Sequence, residues 1–512
     1  MGNSTLNASI HILDNDSLLH IFYHYRPFIL GEDGHPNDRI LGGDPEEGWD
    51  LGRWWYELAH VCQRWRNIIL QSASYLGVSL VCTTGTPVAD MLTYSPPLPL
   101  DVDYQFDEDN DITAEDEEGA FLALEQYNRV RRIRLIIPAT SLQKFIVAMD
   151  DEYSILEYLI IIDPDGDTRS SFILPGALQA PNLRHLVLTG FALPIGCRLL
   201  TTAVGLNTLC LFMAQPSTYF HPNTLLQWVS FMPQLETLAI RFPSPVPNCE
   251  IERQLNHIPI TTAVTLPNLR IFSFSGVRTY LEGLICRVAT PRLEMLRLNF
   301  SNQLTFSVPR CLQFVNATEN LMFKSAKFKF ADEKVEVKVY SQEEAEMYTL
   351  KIDVNCWHLD WQVSSAAQIS NSLSPAFSAV EHLTLEHEAH VQSSEEHDEA
   401  DPSEWRKLLS SFRNAKTLHI ASGLVEELSC CLKTDGGELP LELLPELQEL
   451  TYSGSGDTGN VFTSFVNARQ DAGHPLTLVR RSPSPDRSSS VSSIEPPSIA
   501  PAGHEAGSDL DT

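Results

Sequence analysis

The sequence is poor in positive charge. It contains 36 Lys and Arg residues against 66 Asp and Glu residues, which gives a formal net charge of −30 at pH 7. Part of the excess is concentrated in two acidic segments, residues 107–118 and 395–404. A field of this sign repels nucleic acid and anionic membranes, so we expect neither as a partner. Such a surface could favour a basic partner, or it could simply keep the protein soluble.

The sequence also lacks long apolar runs and paired cysteines. No run approaches the roughly 20 residues that span a membrane, and the first residues lack the basic and apolar segments of a secretory signal. The ten cysteines include no Cys-x-x-Cys pair, and several of them, such as Cys82 and Cys210, lie in apolar runs. Reduced, buried thiols fit this pattern better than disulfides. We therefore expect a cytoplasmic or nuclear protein.

Motifs of catalysis and cofactor binding are missing as well. There is no Gly-x-x-x-x-Gly-Lys phosphate loop, dinucleotide fingerprint or zinc-protease helix. His387 and His390 lie beside Glu388, but their spacing does not put two metal ligands one helical turn apart. Ser455 lacks the Gly two residues before it that a nucleophile elbow requires, since Ser453 stands there. We expect a non-catalytic protein with no cofactor and no metal site.

Two amphipathic segments lie near the start of the chain. In residues 54–69 the apolar residues recur at three- and four-residue steps, which predicts one helix with a single apolar side. These residues are Leu58, Val61, Cys62, Trp65, Ile68 and Ile69. In residues 12–22, Asp14 or Asn15 could cap a second helix with its own apolar face. Each of the two faces needs a partner surface.

Together the two segments resemble an F-box. The first helix of that family reads roughly Leu-Pro-x-Glu-x-Leu-x-x-Ile-Phe, and the last reads Val-Cys-x-x-Trp. The matching residues are Leu13, Asp16, Leu18, Ile21, Phe22, Val61, Cys62 and Trp65. Asp14 replaces the family's Pro, and an insert at residues 31–53 leaves open whether the middle helix forms normally. The pattern looks most like fungal F-box-like proteins that carry such an insert and a leucine-rich body.

The resemblance implies a substrate receptor of an SCF-type cullin-RING ubiquitin ligase. The N-terminal helices would bind a Skp-type adaptor and through it a cullin, while the body would bind an unidentified target protein. The implied adaptor contacts are Leu13, Leu18, Ile21, Phe22, Val61, Cys62 and Trp65. Three alternatives stay open: these residues could pack only against the body, the chain could be a leucine-rich-repeat interaction scaffold that assembles no ligase, and the loops could hold a hydrolase site that no motif indicates.

Four of the eight tryptophans, Trp49, Trp54, Trp55 and Trp65, lie within seventeen residues. Aromatic side chains bury large areas and are enriched at binding interfaces, so this density suggests an interface. Trp54 and Trp55 could equally seal the N-terminal helices onto the next domain.

A short motif recurs through the rest of the chain: apolar, two spacers, apolar, one spacer, apolar. Its copies begin at Val130, Leu156, Leu183, Leu206, Leu235, Leu269, Leu293, Thr318, Met347, Val380, Ala415 and Leu447. Successive copies start 23 to 35 residues apart. This spacing is typical of a leucine-rich repeat with one strand per unit. Because no unit can bury its own apolar strand, stacked units form one continuous core.

The predicted fold class is therefore α/β, with a curved parallel sheet and helices behind a short helical module. The predicted boundaries are a flexible lead at 1–9, an F-box-like module at 10–72 and an irregular leucine-rich-repeat solenoid at 75–467. The Asn that leucine-rich repeats carry three residues after the last Leu is missing here, which favours irregular curvature of the solenoid. Residues 468–512 are rich in Ser, Pro, Gly and Asp, and we expect them to be a disordered tail whose Ser-Pro pairs could be phosphorylated.

Overall fold

The computed structural model describes most of the chain, with gaps. The described residues are 13–26, 53–106, 112–164, 172–194, 196–213, 219–242, 260–301, 308–318, 320–343, 345, 347–388, 401–432, 443–453 and 461–481. Within these ranges the protein is mixed α/β, with helices and one large, mainly parallel sheet. None of the described helices has both the length and the hydropathy that a membrane crossing requires. The flexible lead and the insert at 31–53 lie almost wholly outside the described residues.

The N-terminal helices are α1 (Asn15–Tyr25), α2 (Trp54–Val61), α3 (Gln63–Gln71) and α4 (Ala73–Leu76). The first amphipathic helix is confirmed, and the Asp14 carboxylate caps it by accepting a hydrogen bond from the Ser17 amide at 2.7 Å. The single helix expected at 54–69 is wrong. The helix is interrupted at Cys62, whose backbone is extended at φ −162° and ψ 167°.

The break at Cys62 lets each short helix bury its own residues. Trp55 and Ala59 are buried from α2, whereas Trp65, Ile68 and Ile69 are buried from α3. The Arg66 guanidinium donates to the carbonyl oxygen of Ala59 at 3.2 Å. This bond satisfies a carbonyl in the last turn of α2 that has no further turn to pair with.

The large sheet contains 16 strands in the order β1-β2-β3-β4-β6-β8-β9-β11-β13-β16-β15-β14-β17-β18-β19-β20. Its first half consists of β1 (Leu80–Thr83), β2 (Leu100–Gln105), β3 (Val130–Ile136), β4 (Tyr158–Ile162), β6 (His185–Thr189), β8 (Thr208–Phe212), β9 (Thr237–Arg241) and β11 (Ile271–Gly276). The second half consists of β13 (Met295–Ser301), β14 (Ser325–Ala331), β15 (Lys334–Tyr340), β16 (Leu350–Asn355), β17 (His382–Glu388), β18 (Thr417–Ile420), β19 (Glu449–Ser453) and β20 (Thr477–Arg481).

Two small sheets and a series of helices accompany the large sheet. The two-residue strands are β5 (Phe172–Ile173) with β7 (Phe191–Ala192), and β10 (Val264–Thr265) with β12 (Val288–Ala289). The remaining helices are α5 (Val88–Tyr94), α6 (Ala114–Leu124), α7 (Ala139–Ala148), α8 (Arg198–Thr202), α9 (Pro222–Val229), α10 (Arg278–Ile285), α11 (Pro309–Ala317), α12 (Leu359–Ser372), α13 (Ser374–Phe377), α14 (Pro402–Leu409), α15 (Val425–Leu432) and α16 (Thr463–Asp471).

The recurring motif sets the register of the sheet. Its second apolar position forms a row in which each residue pairs with the next across a strand boundary. The row contains Leu159, Leu186, Leu209, Leu238, Phe272, Leu296 and Leu350, all buried. The third position forms a parallel row two residues further along. Every predicted copy except the one at Thr318 coincides with a strand of this sheet.

The copy at Thr318 is the exception. Leu321 and Phe323 are buried, but the strand begins only at Ser325 and follows a period of two rather than the repeat. This strand, β14, forms an antiparallel hairpin with β15, and β15 in turn pairs antiparallel with β16. The expectation of a parallel sheet is therefore wrong at β15. The alternation of Val335, Val337 and Val339 in the sequence is the signal that could have predicted this strand.

The tail boundary at residue 468 lies too early. Helix α16 extends to Asp471, and β20 pairs in parallel with β19 as the last strand of the sheet. The Arg469 side chain is fully buried and donates hydrogen bonds to the carbonyl oxygens of Leu444, Pro445 and Leu447 at 3.0–3.1 Å. The polar composition hid this element because its key buried group is a charged side chain. The Ser-Pro pairs at 482–485 lie outside the described residues.

We predict that Arg469→Met lowers the free energy of unfolding by about 1–3 kcal/mol, since buried carbonyls lose their donor. Urea unfolding followed by circular dichroism measures the effect. Arg413→Met is the control because Arg413 is exposed, and it should leave the unfolding midpoint unchanged. Equal stability of the two variants would show that the Arg469 contacts do not hold the end of the sheet.

Candidate functional site

In the helical module, residues 13–26 and 53–76, an aromatic contact and an arginine join α1 to α3. Phe22 from α1 and Trp65 from α3 meet edge to face, with ring centroids 4.9 Å apart. The Arg64 guanidinium donates to the Leu13 carbonyl oxygen at 2.6 Å and to the Asn15 side-chain oxygen at 2.9 Å. The start of α1 is therefore tied to α3 across a gap of about fifty residues in the chain.

The inner side of the module is sealed onto the sheet. Trp55 is buried, and its indole N–H donates to the Ser79 carbonyl oxygen at 3.1 Å, next to the first strand. Gly77 ends α4 at φ 66°, a left-handed conformation that favours Gly, and its carbonyl oxygen accepts from Arg131 at 3.1 Å. Of the two roles open for Trp55, sealing is the one that the structure gives it. Trp54 is half-buried, and Trp49 lies outside the described residues.

The seven residues implied as adaptor contacts divide into three groups. Leu18, Phe22 and Trp65 are buried inside the module. Leu13 and Cys62 are half-buried. Ile21 and Val61 are exposed, with 45% and 59% of their surface accessible. The buried three therefore cannot touch another protein in this conformation, whereas Ile21 and Val61 present apolar surface to it.

Tyrosines enlarge this exposed surface beyond what the sequence analysis found. Tyr23, Tyr25 and Tyr75 are exposed, and the Tyr23 and Tyr75 rings lie 5.3 Å apart. Tyr25 donates to the Glu57 carboxylate at 3.3 Å, which links α1 to α2. Since Leu18 and Phe22 point inward, Ile21 and Tyr25, four residues apart, share an adjoining side of α1. That spacing is the signal that could have added Tyr25 to the predicted surface. We call Ile21, Tyr23, Tyr25, Val61 and Tyr75 the exposed apolar surface of the module.

A second candidate surface is the face of the sheet opposite the apolar rows. Along it, the Tyr158 and His185 rings stack with centroids 4.4 Å apart, and the His185 Nδ1 atom lies 3.1 Å from the Thr208 hydroxyl. The Arg132 guanidinium lies over the Tyr158 ring at 4.7 Å. Polar and aromatic side chains therefore form this part of the face, and beside them Val187, Cys210 and Ala239 form a small buried apolar cluster.

Ion pairs join cations and carboxylates on this face. The Arg134 guanidinium binds both carboxylate oxygens of Asp103, at 2.8 and 3.0 Å. The Glu336 carboxylate binds Lys338 at 2.6 Å and Lys351 at 2.8 Å. Burial by itself would raise the pKa of Glu336, but the two ammonium groups outweigh it and lower the pKa to about 2. Arg134, Lys338 and Lys351 on this face thus each have a carboxylate partner.

Two observations on the described residues concern metal binding and thiol reactivity. Within the described ranges, no group of three or more His, Cys, Asp or Glu side chains could hold a metal ion. Burial raises the pKa values of the Cys82 and Cys210 thiols to about 12, which disfavours the nucleophilic thiolate.

Comparison with models of known protein families and with curated proteins finds no match.

We predict that His185 stays neutral well below pH 6.5. Burial, and then the charges of Arg132 and Arg184, lower its pKa to about 4. The contribution of neutral His185 to the free energy of unfolding is therefore fully present above pH 6.5. It is lost as the pH falls through 4, because the unfolded state binds the proton more readily than the folded state. The imidazole titration, followed by NMR and assigned with His185→Gln, measures the pKa. Between pH 7 and 4 the wild type should lose more unfolding free energy than the variant. Titration near pH 6.5 would contradict the burial of the ring.

Proposed function

We propose that the chain is the substrate-recognition subunit of an SCF-type cullin-RING ubiquitin ligase, acting in the cytoplasm or nucleus. The observation that supports this most directly is the exposed apolar surface of the module. Val61, at 59% exposure, lies in the segment that resembles the end of an F-box. Exposed apolar and aromatic groups clustered on a small helical unit favour a protein partner.

The burial of Leu18, Phe22 and Trp65 refines the residues of the proposal. These three position the helices, and the adaptor contacts are assigned to Ile21 and Val61, with Leu13 and Cys62 beside them. The Skp-type adaptor would stabilise the module by binding only its folded form.

The sheet supports the second half of the proposal, that the body is an irregular leucine-rich-repeat solenoid. Every motif copy except the one at Thr318 has its own strand, with the same two positions buried in register, and such repeats require this arrangement. Specificity in a solenoid resides in the exposed side chains of the strands, so the polar face is assigned to the target protein.

In this function the chain performs no bond chemistry. It would hold a target protein while the adaptor and cullin hold the rest of the ligase, including the ubiquitin-charged conjugating enzyme. Tethering raises the effective concentration of a target lysine near the ubiquitin thioester. Two separate surfaces on one chain are what this mechanism needs.

The test is capture of a purified Skp-type adaptor by the full chain. We predict that the double substitution Ile21→Asp and Val61→Asp weakens adaptor binding at least about tenfold, since it places two charges in an apolar interface. Val204→Asp, at another exposed Val (54%), is the matched control and should bind like the wild type. Calorimetry or surface plasmon resonance gives the dissociation constants.

The surface variants separate contact from folding. Trp65→Ala should also abolish adaptor binding, but it removes a buried ring and destabilises the module, by about 3–5 kcal/mol. The double variant should keep the wild-type melting temperature. Unchanged adaptor binding by the double variant would refute the assignment of this surface. Binding of the adaptor without recovery of any cullin would instead favour the interaction scaffold.

A further inference from the structure

The polar face of the sheet contains a hollow across β9, β11, β13 and β16. The register places Arg241 beside Ser275, Ser275 beside Asn299, and Asn299 beside Asp353. Together with neighbouring side chains, these residues line a space of about 520 Å³, open solvent included.

The hollow exists because β11 carries small side chains between large ones. Ser273 and Ser275 form its floor, while Arg241 with the Phe212 ring forms one wall and Arg297 with the Tyr348 ring forms the other. The two guanidinium groups lie 5.0 and 5.1 Å from the centroids of these rings. Among the described residues, neither serine hydroxyl makes a hydrogen bond within the protein, so both can donate to a ligand.

The cations of the hollow differ in how far they are neutralised. Lys351 is paired with Glu336 at 2.8 Å and with Asp353 at 3.3 Å. Arg241 pairs with no carboxylate of the described chain, and its guanidinium lies over the Phe212 ring, 5.0 Å from the ring centroid. The side chain is exposed at the end of β9, and the guanidinium is charged at neutral pH. A carboxylate would compensate this charge with two parallel hydrogen bonds.

The opposite side of the hollow offers acceptors. The Asn299 Oδ1 and Asp353 Oδ1 atoms are buried and have no hydrogen-bond partner among the described residues. Backbone N–H groups of a bound segment could satisfy them. Arg241 and Asp353 stand three strands apart, about 14 Å, which an extended peptide covers in four or five residues.

We propose that this hollow binds an extended, acidic peptide segment of a partner protein, with an Asp or Glu side chain of that segment on Arg241. The donors of the hollow, which are the Arg241 guanidinium and the two serine hydroxyls, favour an anion. The acceptors at Asn299 and Asp353 favour a peptide over a free anion, because a peptide also has N–H donors. The inference deepens the proposed function by naming the kind of target segment, and it rests on that function only for the fate of the target.

The test is selection of short random peptides displayed on phage against the purified full chain. The wild type should enrich peptides with Asp or Glu at one fixed position. Arg241→Glu should lose that preference and favour Lys or Arg there. A selected acidic peptide, made synthetically and followed by fluorescence anisotropy, should bind Arg241→Glu at least about tenfold more weakly than the wild type.

Two controls keep the result interpretable. Arg198→Glu changes an exposed arginine in α8 and should retain the wild-type selection. Arg241→Gln removes the charge and should also weaken peptide binding. It replaces Arg241→Glu as the test variant if Arg241→Glu fails to fold. Absence of acidic enrichment, its persistence in both Arg241 variants, or full competition by millimolar inorganic phosphate overturns the proposal. None of these readouts needs the adaptor, so peptide binding and adaptor binding can fail separately.

Discussion

The structure depends on the burial of two rows of apolar side chains that run across the strands of one sheet. No single strand can remove its own Leu or Phe residues from water, since a lone strand has no opposing surface. Burial is achieved only when each copy of the motif lies in register with the next, as Leu186 does with Leu209. A slip of one residue would turn the row toward the polar face, so the register is strongly determined.

This constraint leaves the ends of the sheet as the places where other solutions are needed. At the first strand the helical module provides a cover, with Trp55 bonded to the Ser79 carbonyl and Leu76 and Val78 buried beside it. At the last strands a buried guanidinium, Arg469, organises the chain. The first end uses apolar area and the second uses hydrogen bonds, and only the first leaves a pattern that resembles an amphipathic helix.

The same contrast explains what could be predicted from the sequence. The strands were predictable because the motif repeats and each copy buries the same positions. The break at Cys62 was not, because three- and four-residue steps continue across it and only packing decides that two short helices bury more than one long helix. The apolar residues of the two N-terminal segments were predictable as a set, but their burial was not: Phe22 and Val61 are both apolar, yet one fills the module and the other faces outward. The antiparallel strand β15 was missed because the repeat masked a local alternation.

The division of labour between the two faces of the sheet follows from the period of a strand. Residues such as Leu238 and Ile240 hold the stack together, whereas Ala239 and Arg241 between and beyond them point to the other face. Substitutions on that other face do not disturb the apolar rows, so its chemistry can differ from strand to strand. Small serines on β11 beside an arginine on β9 cost the core nothing and create a charged hollow in a strongly acidic protein. The residues that stabilise the sheet therefore alternate along each strand with residues whose chemistry is free to vary, so a repetitive sheet can have an outer face that differs from strand to strand.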